Sequence, residues 1–143
     1  MQKDRVYLSG RMDGVSVEEG NRWRLIQGAK LIEAGFEIYN PYSGKPADKK
    51  EHLEYTPNEI HHRDIHFLNK SSILLVCLEM PEMIRAKDAP FFTIGEMYLA
   101  HKAEMPIICH QNPFSGRHGY EAIVTKTLPT LDDAVEYIIE NYS

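Results

Sequence analysis

The run Ile73-Leu74-Leu75-Val76-Cys77-Leu78 contains no polar residue. A strand with one wet face alternates apolar and polar side chains, so an unbroken apolar run marks a strand covered on both faces. That cover must come from elsewhere in the chain, and the remaining sequence supplies it. Val6–Ser9, Phe36–Asn40 and Pro106–Cys109 read as further strands, with Pro41 stopping the second, and Ile123–Thr125 as a short fifth. Between them lie segments with helix punctuation. Ser16 is an N-cap followed by Glu18 and Glu19, and Gly35 sits where a helix end needs positive φ. Trp23, Ile26, Ala29 and Ile32, or their near neighbours, are expected to face inward from that helix. Thr56-Pro57-Asn58-Glu59 opens a second helix, running to about Asn69. Thr93–Lys102 forms a third. Thr130 caps the last, with Leu131, Ala134, Val135, Ile138 and Ile139 turned inward.

Strands and helices therefore alternate. This predicts an α/β fold of three layers: a mostly parallel five-stranded sheet with helices on both faces, flavodoxin- or Rossmann-like. Right-handed crossovers then bring the segments after successive strands to one edge, where such sheets bind ligands. The Gly10–Gly14 loop, the Asn40-Pro41-Tyr42 corner and the segment leading to Glu96 all open there.

With 143 residues, 43% hydrophobic and 26% charged, the chain is expected to form a single globular domain over 1–143. A net charge of −5 and scattered basic residues argue against a nucleic-acid partner. Cys77 and Cys109 lie in apolar runs and read as buried, reduced thiols. No apolar run approaches the roughly twenty residues of a membrane span. The first strand follows Met1 too closely for a signal peptide, so the cytoplasm is the expected location.

Two acidic residues carry the chemical argument. Asp64 shares a helix face with Ile60, Phe67 and Leu68. It reads either as a structural carboxylate satisfied by Arg63, a histidine or a backbone N–H, or as a functional acid. Glu96 falls in the expected first turn of the third helix, and reads either as a dipole-stabilising surface residue or as a site residue. Two carboxylates over one crevice can supply the nucleophile and the general acid that glycosidic cleavage needs. The Gly10–Gly14 loop lacks the Lys-Ser/Thr of a phosphate-binding P-loop and the third glycine of a dinucleotide fingerprint. It could turn N–H groups toward an anion or be a plain turn. His62 and His66 have metal-ligand spacing, but the sequence assigns them no further ligand, so neither metal nor cofactor is expected.

Several motifs occur in a telling order. They are Val6-Tyr7-Leu8-Ser9-Gly10, His62-Arg63-Asp64-Ile65, Thr93-Ile94-Gly95-Glu96-Met97-Tyr98-Leu99-Ala100 and Met105-Pro106-Ile107-Ile108. The chain resembles the nucleoside 2-deoxyribosyltransferase superfamily, which includes the deoxynucleoside 5′-monophosphate N-glycosidases, over nearly its whole length. The resemblance implies Glu96 as nucleophile, Asp64 as the acid serving the nucleobase and Tyr7 as the hydroxyl that positions Glu96. It implies an ionised Glu96 beside an Asp64 that holds a proton through burial. It further implies that Gly10, Arg11, Met12, Asp13 and Gly14 wrap the sugar end, that Asn40, Pro41 and Tyr42 face the base, and that Thr93 is a substrate-binding residue.

Departures from the family pattern bear on substrate. Pro90 stands where transferases carry Asp and monophosphate enzymes Ser, with Asp88 two residues earlier as a substitute. Asp13 replaces an Arg, for which Arg11 could compensate. Tyr120 occupies the position of the polar residue lent by a partner subunit. The expected substrate is a 2′-deoxynucleoside or its 5′-monophosphate, with a free nucleobase as acceptor, or water in a hydrolase. A homo-oligomer with shared sites is implied, and the aromatics Phe91, Phe92, Phe114 and Tyr120, placed in loops, are candidate contacts. A binding module without turnover and a metal hydrolase built on the histidine-rich helix are the rival readings.

Overall fold

The computed structural model describes residues 3–12, 15–42, 56–79 and 90–143. Asp13, Gly14 and Asp88 lie outside the described residues. Five parallel strands form one sheet: β1 (Arg5–Gly10), β2 (Glu37–Tyr39), β3 (Ile73–Cys77), β4 (Ile107–His110) and β5 (Lys126–Leu128), in the order β2-β1-β3-β4-β5. Among the described residues five helices accompany them: α1 (Val17–Glu33), α2 (Pro57–Leu68), α3 (Phe91–Lys102), α4 (His118–Ile123) and α5 (Leu131–Tyr142). The three-layer α/β expectation holds, and the sheet is parallel throughout. Among the described residues no helix is long and apolar enough to cross a membrane.

The period-two alternation of a strand divides the core. Val6, Leu8, Ile73, Leu75 and Cys77 face one side, where they pack with Leu31 of α1 and Ala134, Val135 and Ile138 of α5. Tyr7, Leu74, Val76, Ile107 and Cys109 face the other, against Leu68 of α2, Met97 and Ala100 of α3 and Tyr120 of α4. Every β3 residue is buried, as its unbroken apolar run requires. Both cysteines are buried and free, and burial pushes the thiols of Cys77 and Cys109 up to about 12 and about 11, which keeps them unreactive.

The caps fall where the sequence places them. Ser16, Thr56 and Thr130 accept from the N–H groups of Glu19, Glu59 and Asp133, each at 3.1 Å, and Gly35 has φ +102°.

Four expectations need correction. The buried stripe of α1 is Gly20, Arg24, Gln27, Gly28 and Leu31, while Ile26 and Ile32 are exposed. The small glycines let the helix lie close on the sheet, and a Cβ at Gly28 would stand 2.7 Å from Ile38 Cδ1. The fifth strand is Lys126–Leu128, because Tyr120–Ile123 complete α4. There Gly116 donates to Glu121 Oε1 at 2.9 Å, closing the turn that starts the helix. α3 begins at Phe91, two residues ahead of expectation. Of the four aromatics read as loop contacts, Phe114 and Tyr120 are core residues, whereas Phe91 and Phe92 stand exposed on the first turn of α3.

Gly10 ends β1 beneath Trp23. A Cβ there would meet Trp23 Cζ2 at 2.8 Å and the backbone oxygen of Cys77 at 3.0 Å. Gly10→Ala should therefore lower unfolding free energy by about 1–3 kcal/mol. Gly95→Ala, in open space within α3, should raise it by about 0.5–1 kcal/mol. Urea denaturation of the two variants checks both signs.

Candidate active site

Glu96 lies in the second turn of α3, not the first, so the helix N-terminus contributes less than the sequence suggests. Its face is the buried one, shared with Thr93, Met97 and Ala100. β1 supplies the polar partners instead. Tyr7, fully buried, donates its hydroxyl to Glu96 Oε2. Ser9, two residues on and therefore on the same side of the strand, donates to Oε1 at 2.9 Å. Each carboxylate oxygen thus meets one hydroxyl.

Asp64 reaches the same side of the sheet from α2. Tyr39 of β2 donates to its Oδ1 at 2.9 Å. Tyr39 pairs with Tyr7 across the β1–β2 register, and the two rings lie 5.1 Å apart. Phe67, one turn after Asp64, stacks on Tyr39 at 4.4 Å. The two acids thus sit at the hydroxyl ends of adjacent tyrosines.

Burial differs from expectation. The deeply buried carboxylate is Glu96, 8% exposed, while Asp64 is only half-buried. Burial raises the Glu96 carboxyl from its ordinary 4.5 to about 7, although the Tyr7 and Ser9 hydroxyls and Arg24 favour the charged form. The Tyr7 phenol is itself held far above its usual range by burial and by Glu96. The carboxyl of Glu96 holds its proton more tightly in the folded chain than in the unfolded one. The resulting stability is present below pH 4.5 and is lost as pH rises through about 7. Glu96→Gln carries no such charge. Its stability relative to the wild type should increase by about 2–3 kcal/mol between pH 5 and pH 8, measurable by urea unfolding at the two values.

The remaining candidates divide. Pro90 is the buried N-cap of α3 and Thr93 is buried one turn before Glu96. Asn40 is committed to the corner itself: Nδ2 donates to Asn21 Oδ1 at 2.8 Å, and Oδ1 accepts from Tyr42 N–H at 2.9 Å. Pro41 is buried behind it and Tyr42 half-buried. Met12 is half-buried after β1, and Arg11 lines a cleft of about 720 Å³ between α1 and α5, on the sheet side away from Glu96. Tyr120 does not join the acids. Its hydroxyl accepts from Asn112 Nδ2 at 3.1 Å and meets Thr127 Oγ1 at 3.2 Å. His62 and His66 are exposed on α2, and among the described residues no cluster of three His, Cys, Asp or Glu side chains forms.

Sequence reasoning missed two residues. Ser9 was one position in a strand motif, and only the strand alternation beside Tyr7 could have singled it out. Arg24, fully buried on α1, gave no signal, because arginine on a helix ordinarily points to water.

No protein-family model matches the chain, and no curated protein does. Solved structures match over nearly its full length. A 2-deoxyribosyltransferase from Bacillus psychrosaccharolyticus superposes with a TM-score of 0.60 at 11% identity, covering 97% of this chain and 92% of that one. The chain has the fold of a 2-deoxyribosyltransferase. A conserved protein from Enterococcus faecalis V583 superposes with a TM-score of 0.58 at 12% identity, covering 95% of this chain and 88% of that one. At such identities the likeness concerns the fold.

Proposed function

We propose that the chain cleaves the N-glycosidic bond of a 2′-deoxynucleoside through a covalent glycosyl–Glu96 intermediate and passes the sugar to a second nucleobase. The observation that carries this reading is the Glu96 carboxyl, buried yet held by the Tyr7 and Ser9 hydroxyls. A carboxylate so fixed has its oxygens oriented before a substrate arrives, which is what attack on an anomeric carbon requires.

In the first half-reaction a Glu96 oxygen bonds to C1′ while the C1′–N bond breaks, and its electron pair leaves with the base. Asp64, half-buried and accepting from Tyr39, gives the departing nitrogen a proton. In the second, the incoming base bonds to C1′, the Glu96 ester breaks, and Asp64 recovers the proton. Tyr7 and Ser9 hold the carboxylate throughout. Water in place of the second base gives the hydrolase variant of the same chemistry. A 5′-phosphate on the substrate is the remaining alternative, with Arg11, the residue directly after β1, as its candidate cation.

The exposed apolar residues Phe91, Phe92, Ile94, Tyr98 and Leu99 all lie on α3, the helix that bears Glu96. They support a second copy of the chain docking beside the site, which light scattering tests.

Incubation with deoxynucleosides, deoxynucleoside 5′-monophosphates and a second free base, followed by chromatography, tests the reaction. Exchanged nucleoside supports transfer, and free base alone supports hydrolysis. No product from any substrate, with tight binding of nucleoside unaffected by Glu96→Gln, would leave a binding module on the same scaffold.

A further inference from the structure

Arg24 is a charged group for which the chemistry above has no use. It projects from the middle of α1 into the sheet and is fully buried. Burying a guanidinium is costly unless partners replace its water. Among the described residues the salt bridges join other pairs, Arg5–Glu37, Arg22–Glu18 and Lys30–Asp132. Arg24 is satisfied by backbone instead. Nε donates to Leu8 O at 3.2 Å, Nη2 to Gly10 O at 2.9 Å and Nη1 to Gly20 O. The rings of Trp23 and Tyr42 lie 4.6 and 5.2 Å from its Cζ, so π faces supply the rest.

The two β1 carbonyls it holds belong to the residues on either side of Ser9, and Ser9 is one of the hydroxyls on Glu96. A fixed cation therefore grips the strand end that presents a donor to the nucleophile. Its charge also bears on Glu96, favouring the carboxylate. Among the described residues the other titratable groups that act on Glu96 are Tyr7 from β1, Tyr39 from β2 and Asp64 from α2.

We propose that Arg24 is a positioning residue for the reaction assigned above, a buried cation that fixes Ser9 through the flanking carbonyls and favours release of Glu96 as a carboxylate when the glycosyl ester breaks. The proposal rests on the N-glycosidic reading for its second half alone. In that step the Glu96 oxygen–C1′ bond breaks, its electron pair returns to Glu96, and C1′ bonds to the incoming base or water. Arg24 neither gives nor takes a proton. A positive potential behind Glu96 favours the charged product of ester cleavage and opposes its consumption during ester formation. Losing it should slow breakdown of the intermediate more than its formation. Arginine is suited to this place because its planar fork serves several carbonyls at once, whereas lysine is a point charge.

The test begins with a readout that needs no turnover. The Glu96 carboxyl is followed through its titration by ¹³C NMR of glutamate-labelled protein, in the wild type, Arg24→Lys, Arg24→Met and Arg24→Gln. Arg24→Gln keeps a donor and loses the charge, which covers the case that Arg24→Met does not fold. The midpoint is expected to rise by about one pH unit in the neutral variants and to move much less in Arg24→Lys. An unchanged midpoint in a folded neutral variant overturns the proposal. With deoxynucleoside and acceptor base, intact-protein mass spectrometry should then show glycosyl-enzyme accumulating in the neutral variants. Equal slowing of formation and breakdown would make Arg24 a purely structural residue and also overturn it. If the midpoint moves but the wild type turns over no nucleoside, the N-glycosidic reading fails and the electrostatic role of Arg24 stands.

Discussion

Glu96→Gln is expected to lower N-glycosidic turnover by about 10⁴-fold or more while the protein remains folded. The amide keeps the size of the side chain; its oxygen can accept from one of the two hydroxyls while its NH2 donates to the oxygen of the other, so the cluster persists. What disappears is the ionised oxygen that bonds to C1′. Steady-state rates with a deoxynucleoside and excess acceptor base measure the loss. The same variant gains stability above neutral pH, because the wild type must ionise a carboxyl that burial has raised to about 7. Loss of activity together with gain of stability is the signature of a buried group kept for chemistry. A surface glutamate would move neither quantity.

Asp64→Asn carries the second large effect, a fall of about 10²–10⁴-fold that depends on the leaving base. Asparagine can still accept from Tyr39, so the ring pair of Tyr7 and Tyr39 stays in place. It cannot protonate the departing nitrogen. Bases that leave readily without a proton should therefore be cleaved by the variant at close to the wild-type rate, while poor leaving groups show the full loss. A series of deoxynucleosides graded by leaving-group basicity gives the measurement. A uniform loss across the series would remove Asp64 from proton transfer and leave it a structural partner of Tyr39.

The legible parts of this molecule are those where one local signal decides. β1, β3 and β4 are short apolar runs, and Ser16, Thr56 and Thr130 announce their helices by cap chemistry that needs no tertiary context. The order of the motifs singles out Glu96, Tyr7 and Asp64, and the fold brings these side chains to one side of the sheet. What escaped depends on contacts between distant segments. The buried face of α1 is set by Gly20 and Gly28 and by an arginine that finds carbonyls from β1, none of which shows in its apolar spacing. Ile123-Val124-Thr125 has strand-like side chains, yet the turn closed by Gly116 and Glu121 carries the chain through a helix first. The division of burial between the acids was likewise hidden, since Glu96 is sealed by β1 and not by neighbours on its own helix.

Mass spectrometry of the protein quenched in acid during turnover of a 2′-deoxynucleoside addresses the nucleophile itself. The expected result is a mass increase of one deoxyribosyl group, located by peptide mapping to Glu96 and absent from Glu96→Gln. Turnover with the adduct on another side chain, or undiminished turnover by Glu96→Gln, would contradict the assignment of Glu96.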